Sequence, residues 1–288
     1  MINRFLIFLL LIVLGCSSKQ NSKEVSKEIL QLDSLTSDSF EKMFSPKFDW
    51  ETVDIKTSDD EKRKLIGLHS PWIRDENINE RYLAGVHVVD FNGDGVNDFI
   101  YSGEGPATLM TIISVDSAGF SDFSIISNMD IINGKVKRLY LQSIIGTGGP
   151  AVEGYSIVDI VYSGNSPRFV RRIDCEEIAG ITFPKEYSNF EVESISDTII
   201  GRSEPIELDT PYQWVLELPG NQLGKITKGT KAIVAAQTKD SLNNEWFFTL
   251  INPGFKIHGY SYMNMTFDPN DKRHRIVWSK GAGWKKVN

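Results

Sequence analysis

The stretch between residues 86 and 101 constrains the fold of this chain more than any other. Nine residues, Asp90-Phe91-Asn92-Gly93-Asp94-Gly95-Val96-Asn97-Asp98, separate two short apolar runs at 86–89 and 99–101. Apolar, β-rich runs on both sides of an Asn/Asp/Gly segment are typical of two strands joined by a turn. We therefore expect a β-hairpin or sheet edge that carries this segment, which we call the acidic loop (residues 90–98).

Oxygen-bearing groups recur at alternate positions of the acidic loop. Calcium takes six to eight oxygen ligands, and a loop can supply them from alternate residues. Three carboxylates within nine residues also repel one another unless a cation lies between them. The sequence therefore predicts a structural calcium site, although an ordinary Asn/Asp/Gly turn is the alternative. The predicted ligands are Asp90, Asn92, Asp94, the backbone carbonyl of Val96, and Asp98.

Position twelve of the loop is Tyr101, where an EF-hand has a bidentate Glu, so a helix-loop-helix calcium sensor is not expected. The segment VVDFNGDGVNDFIYSG instead resembles the FG-GAP or VCBS-type repeat, whose loop joins two strands of an extracellular β-blade. This resemblance implies calcium binding in a β domain. A complete propeller is excluded, because residues 45–190 are too few for four blades of about 40–45 residues each.

Residues 45–190 read as short strands separated by turns, with no amphipathic helix between them. Asn133-Gly134, set between apolar runs, is the strongest hairpin signal in the chain. Strands that recur every eight to twelve residues indicate an antiparallel meander. We therefore predict an all-β fold in which an antiparallel β-sandwich or blade-like domain precedes a smaller C-terminal unit.

Residues 194–288 carry glycine turns between apolar strands in an order that resembles a bacterial SH3-like domain over about residues 196–266. The resemblance implies a small barrel that contacts peptide or cell wall through an aromatic groove. Core packing is the alternative role for these aromatic side chains. The tail beyond residue 266 predicts an extra C-terminal hairpin. The candidate peptide-binding residues are Trp214, Trp246, Tyr260 and Tyr262.

Residues 1–15 have the charge and apolar core of a secretory signal, and the run Val13-Leu14-Gly15-Cys16 resembles a bacterial lipobox. The resemblance implies that Cys16 carries lipid and anchors the chain to a membrane of the bacterial envelope, with the outer membrane favoured over the inner one. Residues 16–44 are polar and charged, which predicts a flexible tether. Cys175 is then left without an intrachain partner, and we expect it to be a buried side chain.

No sequence pattern indicates catalysis, because the four histidines lack zinc-site spacing and no nucleophile motif is present. A formal charge of −7 gives no basic face for nucleic acid. We therefore expect a membrane-anchored, non-enzymatic envelope protein that binds cell-wall peptide or another envelope protein and uses calcium structurally. The alternatives are a cell-wall hydrolase or its accessory subunit, and a purely structural subunit of an envelope complex.

Overall fold

The computed structural model describes residues 34–70, 73, 78–105, 108–145, 152–178, 180–213, 218–253, 257–258 and 272–287. Leu35–Asn288 forms one compact unit. Most of this unit is β-strand, in antiparallel and mixed sheets that do not close into barrels. The predicted all-β class is therefore confirmed.

Three α-helices lie in the described N-terminal part of the unit: α1 (Ser37–Phe44), α2 (Asp59–His69) and α3 (Glu80–Ala84). Capping boxes begin α1 at Thr36 and α2 at Ser58, where each side chain accepts a hydrogen bond from the third helical N–H. Single 3₁₀ turns follow at Trp50–Thr52 and Gly281–Gly283. None of the helices among the described residues is long and apolar enough to cross a bilayer.

The strands follow in chain order, and most connections between neighbours are tight turns. They are β1 (Val86–Val89), β2 (Asp98–Glu104), β3 (Leu109–Val115), β4 (Ala118–Asp122), β5 (Ile125–Ile132), β6 (Lys135–Ile145), β7 (Val152–Ser163), β8 (Ser166–Ile178), β9 (Phe190–Ser194), β10 (Thr198–Arg202), β11 (Tyr212–Gln213), β12 (Leu218–Pro219), β13 (Gln222–Thr227), β14 (Lys231–Lys239), β15 (Glu245–Ile251), β16 (Ile257–His258), β17 (His274–Lys280) and β18 (Trp284–Lys286).

Two sheets dominate the unit. The small sheet has the order β1-β2-β3-β4 and is antiparallel throughout. The large sheet follows the path β18-β9-β14-β15-β17-β8-β7-β6-β5, and β10, β13 and β16 branch from it at β17. Its one parallel pairing among the described strands joins β8 to β17. The predicted hairpin at Asn133-Gly134 is confirmed between β5 and β6, and both turn residues have positive φ as a two-residue type I′ turn requires.

Three hydrophobic clusters lie between these layers. Helices α2 and α3 cover one face of the small sheet, and the other face packs on the β5–β8 part of the large sheet. The far face of the large sheet packs against α1 and the C-terminal strands. Strand alternation divides the side chains between clusters, so that Leu139 and Leu141 face the small sheet whereas Tyr140 faces the opposite core.

Three expectations are corrected by this arrangement. The tether was expected to reach residue 44, but Ser37–Phe44 is helical and buries Phe40, Met43 and Phe44 in the core. The short chain segment is amphipathic, and tertiary burial outweighs its polar composition. The C-terminal strands form no closed SH3-like barrel, because they join the same sheet as β5–β8. Strands β17 and β18 also form no hairpin with each other, since β17 pairs with β15 and β18 with β9.

Candidate functional site: the acidic loop and its adjoining pocket

The acidic loop connects β1 to β2, as the sequence predicted. The two strands pair from Val86 opposite Tyr101 to Val89 opposite Asp98, so the loop emerges from the end of a regular hairpin. All four residues of β1 are buried, because the small sheet is covered on both faces. The hairpin therefore gives the loop a rigid base.

Asp90 organises the backbone of the loop. Its Oδ1 accepts hydrogen bonds from the N–H groups of Gly93 (2.8 Å) and Asp94 (3.1 Å), and its Oδ2 accepts one from Gly95 N–H (3.0 Å). Gly93 and Gly95 have φ of 73° and 85°, which a side chain would disfavour. The sequence of the loop thus encodes a tight coil in which backbone N–H groups surround the first carboxylate.

A fourth carboxylate, which the sequence analysis did not identify, reaches the loop from the β3–β4 turn. Asn92 is fully buried, and its Nδ2 donates to Asp94 Oδ2 at 3.0 Å and to Asp116 Oδ2 at 3.3 Å. Asp116 has a φ of 50°, a conformation that aspartate tolerates better than most residues. In sequence, Asp116 was read only as part of a turn, and no local signal connects it to residue 92.

Asp98 shows the electrostatic consequence of this crowding. It is 6 % exposed, and its Oδ2 accepts a hydrogen bond from Phe91 N–H at 2.9 Å. Burial raises the pKa of Asp98 to about 6; the Phe91 N–H opposes the rise, and the carboxylates of Asp94, Asp116 and Asp90 add to it. The loop therefore collects negative charge that a cation would relieve.

The donor set suits calcium in its chemistry. Four carboxylates and one side-chain amide are all hard oxygen donors, and each carboxylate oxygen keeps acceptor capacity beyond one N–H. In the described part of the chain, however, no three carboxylate, imidazole or thiolate groups are already gathered closely enough to hold a metal ion. Calcium binding would therefore require the side chains of the loop to reorient.

A pocket of about 570 Å³ lies between α2 and the end of the acidic loop. This volume is within the range of small-molecule sites. Asp98 and Asp116 contribute to its wall together with Lys64 and His69 of α2. The His69 ring stacks on Phe99 with 4.6 Å between centroids, and burial lowers the pKa of this imidazole. The pocket thus combines charged groups of both signs with an aromatic surface.

The predicted aromatic groove has no counterpart in the described residues. Trp246 is 1 % exposed, and its Nε1 donates to Asp240 Oδ2 at 3.0 Å, so it is a core residue and cannot contact a peptide in this conformation. Trp214, Tyr260 and Tyr262 lie outside the described residues, as does Cys16. Cys175 is fully buried and free, as expected, and burial holds the pKa of its thiol well above the usual range.

No protein-family model, curated protein or solved structure matches this chain. Arguments about its function therefore start from its own residues.

Proposed function

We propose that this chain is a membrane-anchored, non-enzymatic binding protein of the bacterial envelope. In this proposal the acidic loop holds a structural calcium ion and forms one wall of a pocket for a cell-wall peptide. The observation that carries the proposal is the shared position of Asp98 and Asp116, which belong both to the carboxylate cluster and to the pocket wall.

Calcium would act here by neutralising charge and joining two turns. Asp90, Asp94 and Asp98 lie on the β1–β2 loop, whereas Asp116 lies on the β3–β4 turn. An ion bound by both turns would hold the loop end of the pocket in one arrangement. Asn92, buried between Asp94 and Asp116, supports this reading because it already links the two turns through hydrogen bonds.

The pocket wall favours a ligand that carries both charges. Lys56 and Lys64 can pair with carboxylates, while Glu61 offers a partner for an amine. Leu65 and Phe99 provide apolar surface beside them. Peptides of the bacterial cell wall combine free amines, carboxylates and short aliphatic groups, so their chemistry corresponds to this wall.

The location in the envelope is supported by the N-terminal sequence alone. The apolar run ending at Cys16 resembles a lipobox, and an acyl chain on that cysteine would tether the protein to a membrane surface. Mass spectrometry of the membrane fraction tests this part directly. The expected result is a diacylated or triacylated N-terminal Cys16, and a chain that still carries residues 1–15 would contradict it.

Thermal unfolding in calcium and in chelator tests the ion. Extracellular calcium modules bind with dissociation constants of about 10⁻⁴–10⁻³ M. At ten times that value, calcium adds about 1.4 kcal/mol to the free energy of unfolding, or about 3–6 °C in Tm for a unit of this size. We expect Asp94→Ala and Asp116→Asn to abolish the shift and the exposed control Asp197→Asn to retain it. A wild-type protein with equal Tm in both conditions would refute the calcium site.

Retention on isolated cell-wall sacculi tests the pocket. We expect the wild-type protein to be retained in calcium and released by chelator. Lys64→Glu should weaken retention, whereas Lys228→Glu, an exposed lysine in the turn after β13, should not. Equal retention of both variants would place binding elsewhere. Release of soluble wall fragments would favour the hydrolase alternative.

A further inference from the structure

A second pair of carboxyl groups lies far along the chain from the acidic loop. Glu153 of β7 and Glu177 of β8 are directly opposite each other in the antiparallel register. Residues in that relation point to the same face of a sheet with Cβ atoms about 4.5–5.5 Å apart, and like charges there are destabilising. Their neighbours on the same face, Tyr155 and Cys175, belong to the hydrophobic core. The pair is therefore at the edge of a core rather than on a solvated face.

The hydrogen bonds at this pair leave one oxygen without a partner. Tyr155 O–H donates to Glu153 Oε2 at 2.5 Å, and Gln142 Nε2 donates to the same oxygen at 3.2 Å. Glu177 is only 2 % exposed and is held by the N–H of Ile181, but its Oε2 has no hydrogen-bond partner. A buried carboxylate oxygen in this state normally faces a cation, a proton or a water molecule.

No basic side chain compensates the pair within the described residues. Beside burial, the groups that act on Glu177 are the Glu153 carboxylate and the Ile181 N–H, and neither glutamate forms a salt bridge there. The nearest ion pairs on β8 belong to Glu176, whose side chain lies on the opposite face and binds Arg273 and Arg275. Two facing buried carboxylates cannot both stay charged without a positive partner.

We propose that Glu153 and Glu177 bind a hydrated divalent cation of the Mg²⁺ or Ca²⁺ class, at a site separate from the acidic loop. Cations of this class take oxygen ligands, and Mg²⁺ in particular is commonly held by one or two carboxylates while it keeps several waters. Glu153 is half-buried, so an ion between the two side chains can keep water on its open side. Tyr155 and Gln142 act as positioning residues, because their hydrogen bonds fix the Glu153 carboxylate.

Equilibrium dialysis of the full chain tests this site, with Mg²⁺ and Ca²⁺ as separate probes. The variant Asp90→Asn/Asp94→Asn removes the acidic loop as a binder, so any remaining ion reports on the second site. We expect one ion per chain in this variant. Adding Glu177→Gln should weaken binding at least tenfold, because Gln keeps the shape and removes the charge. The matched control adds Glu191→Gln, an exposed glutamate of β9, and should bind like the parent.

Folding of the Glu177→Gln variant is checked by its Tm in chelator, which should equal or exceed that of the parent because no carboxylate remains to be buried. The proposal is overturned if the loop variant binds no Mg²⁺ or Ca²⁺ at about 10 mM, ten times the dissociation constant of the weakest extracellular sites. It is also overturned if Glu177→Gln binds as well as the parent. Both outcomes would assign a proton rather than a metal ion to the pair. Neither depends on whether the acidic loop binds calcium.

Discussion

Phe44 provides the most direct test of the finding that residues 37–44 belong to the folded unit. Its ring is 5 % exposed and contacts four aromatic rings, with centroid distances of 5.2 Å to Tyr155, 5.5 Å to Phe248, 5.6 Å to Phe183 and 6.2 Å to Tyr187. Phe44→Ala would remove the ring from the centre of this cluster. The surrounding rings come from β7, β15 and the segment between β8 and β9, so they have little freedom to collapse into the space.

Replacing a buried Phe with Ala typically costs about 3–5 kcal/mol. The rigid surroundings of Phe44 favour the upper half of that range, which is a large part of the 5–15 kcal/mol that stabilises a typical domain. Urea denaturation measures the loss as a shift of the midpoint at constant m-value. With m at about 3 kcal/mol/M, the midpoint should fall by more than about 1 M. Phe44→Leu, which keeps most of the volume, should cost less than about 1.5 kcal/mol.

Phe123→Ala is the matched control, because this ring is 68 % exposed and its loss should change the free energy of unfolding by no more than about 0.5 kcal/mol. Equal midpoints for Phe44→Ala and Phe123→Ala would refute the reasoning. That result would mean that residues 37–44 behave as the tether that their composition suggested.

Three further predictions concern protons and backbone strain. Between about pH 6.5 and 8, in chelator, Tm should fall as pH rises: burial and Glu153 raise the pKa of Glu177 from 4.5 to about 8, so the native state holds a proton that the unfolded state has lost, and Glu177→Gln should flatten the slope. Below about pH 6.5, Tm should fall as pH drops, because burial lowers the pKa of His87 and the unfolded chain binds the proton more readily; His87→Gln should reduce this slope, and an unchanged slope would exclude His87 as its source. Gly93→Ala should cost about 1–3 kcal/mol more than Gly95→Ala in thermal unfolding, because both have positive φ but only at Gly93 would a Cβ lie 2.9–3.0 Å from the neighbouring hairpin turn; equal losses would contradict this packing.

The sequence alone determined the features that depend on neighbours along the chain. The β1–β2 hairpin follows from apolar runs around an Asn/Asp/Gly loop, and the β5–β6 turn follows from Asn133-Gly134, since both residues tolerate positive φ. The all-β class follows from the regular spacing of short strands. The burial of Cys175 was also predictable, because a single thiol on an apolar strand is usually a core residue.

Only the tertiary structure decided which distant residues meet. Asp116 reaches Asn92 because β3 lies beside β2, and Glu153 faces Glu177 because of the β7–β8 register. A one-residue shift of that register would move either side chain to the opposite face, and no local pattern fixes it uniquely. Trp246 could be assigned to a groove or to the core by its residue type alone. Its burial was decided by strands far away in sequence, since hydrophobic burial depends on total packing and local propensity is weak in comparison.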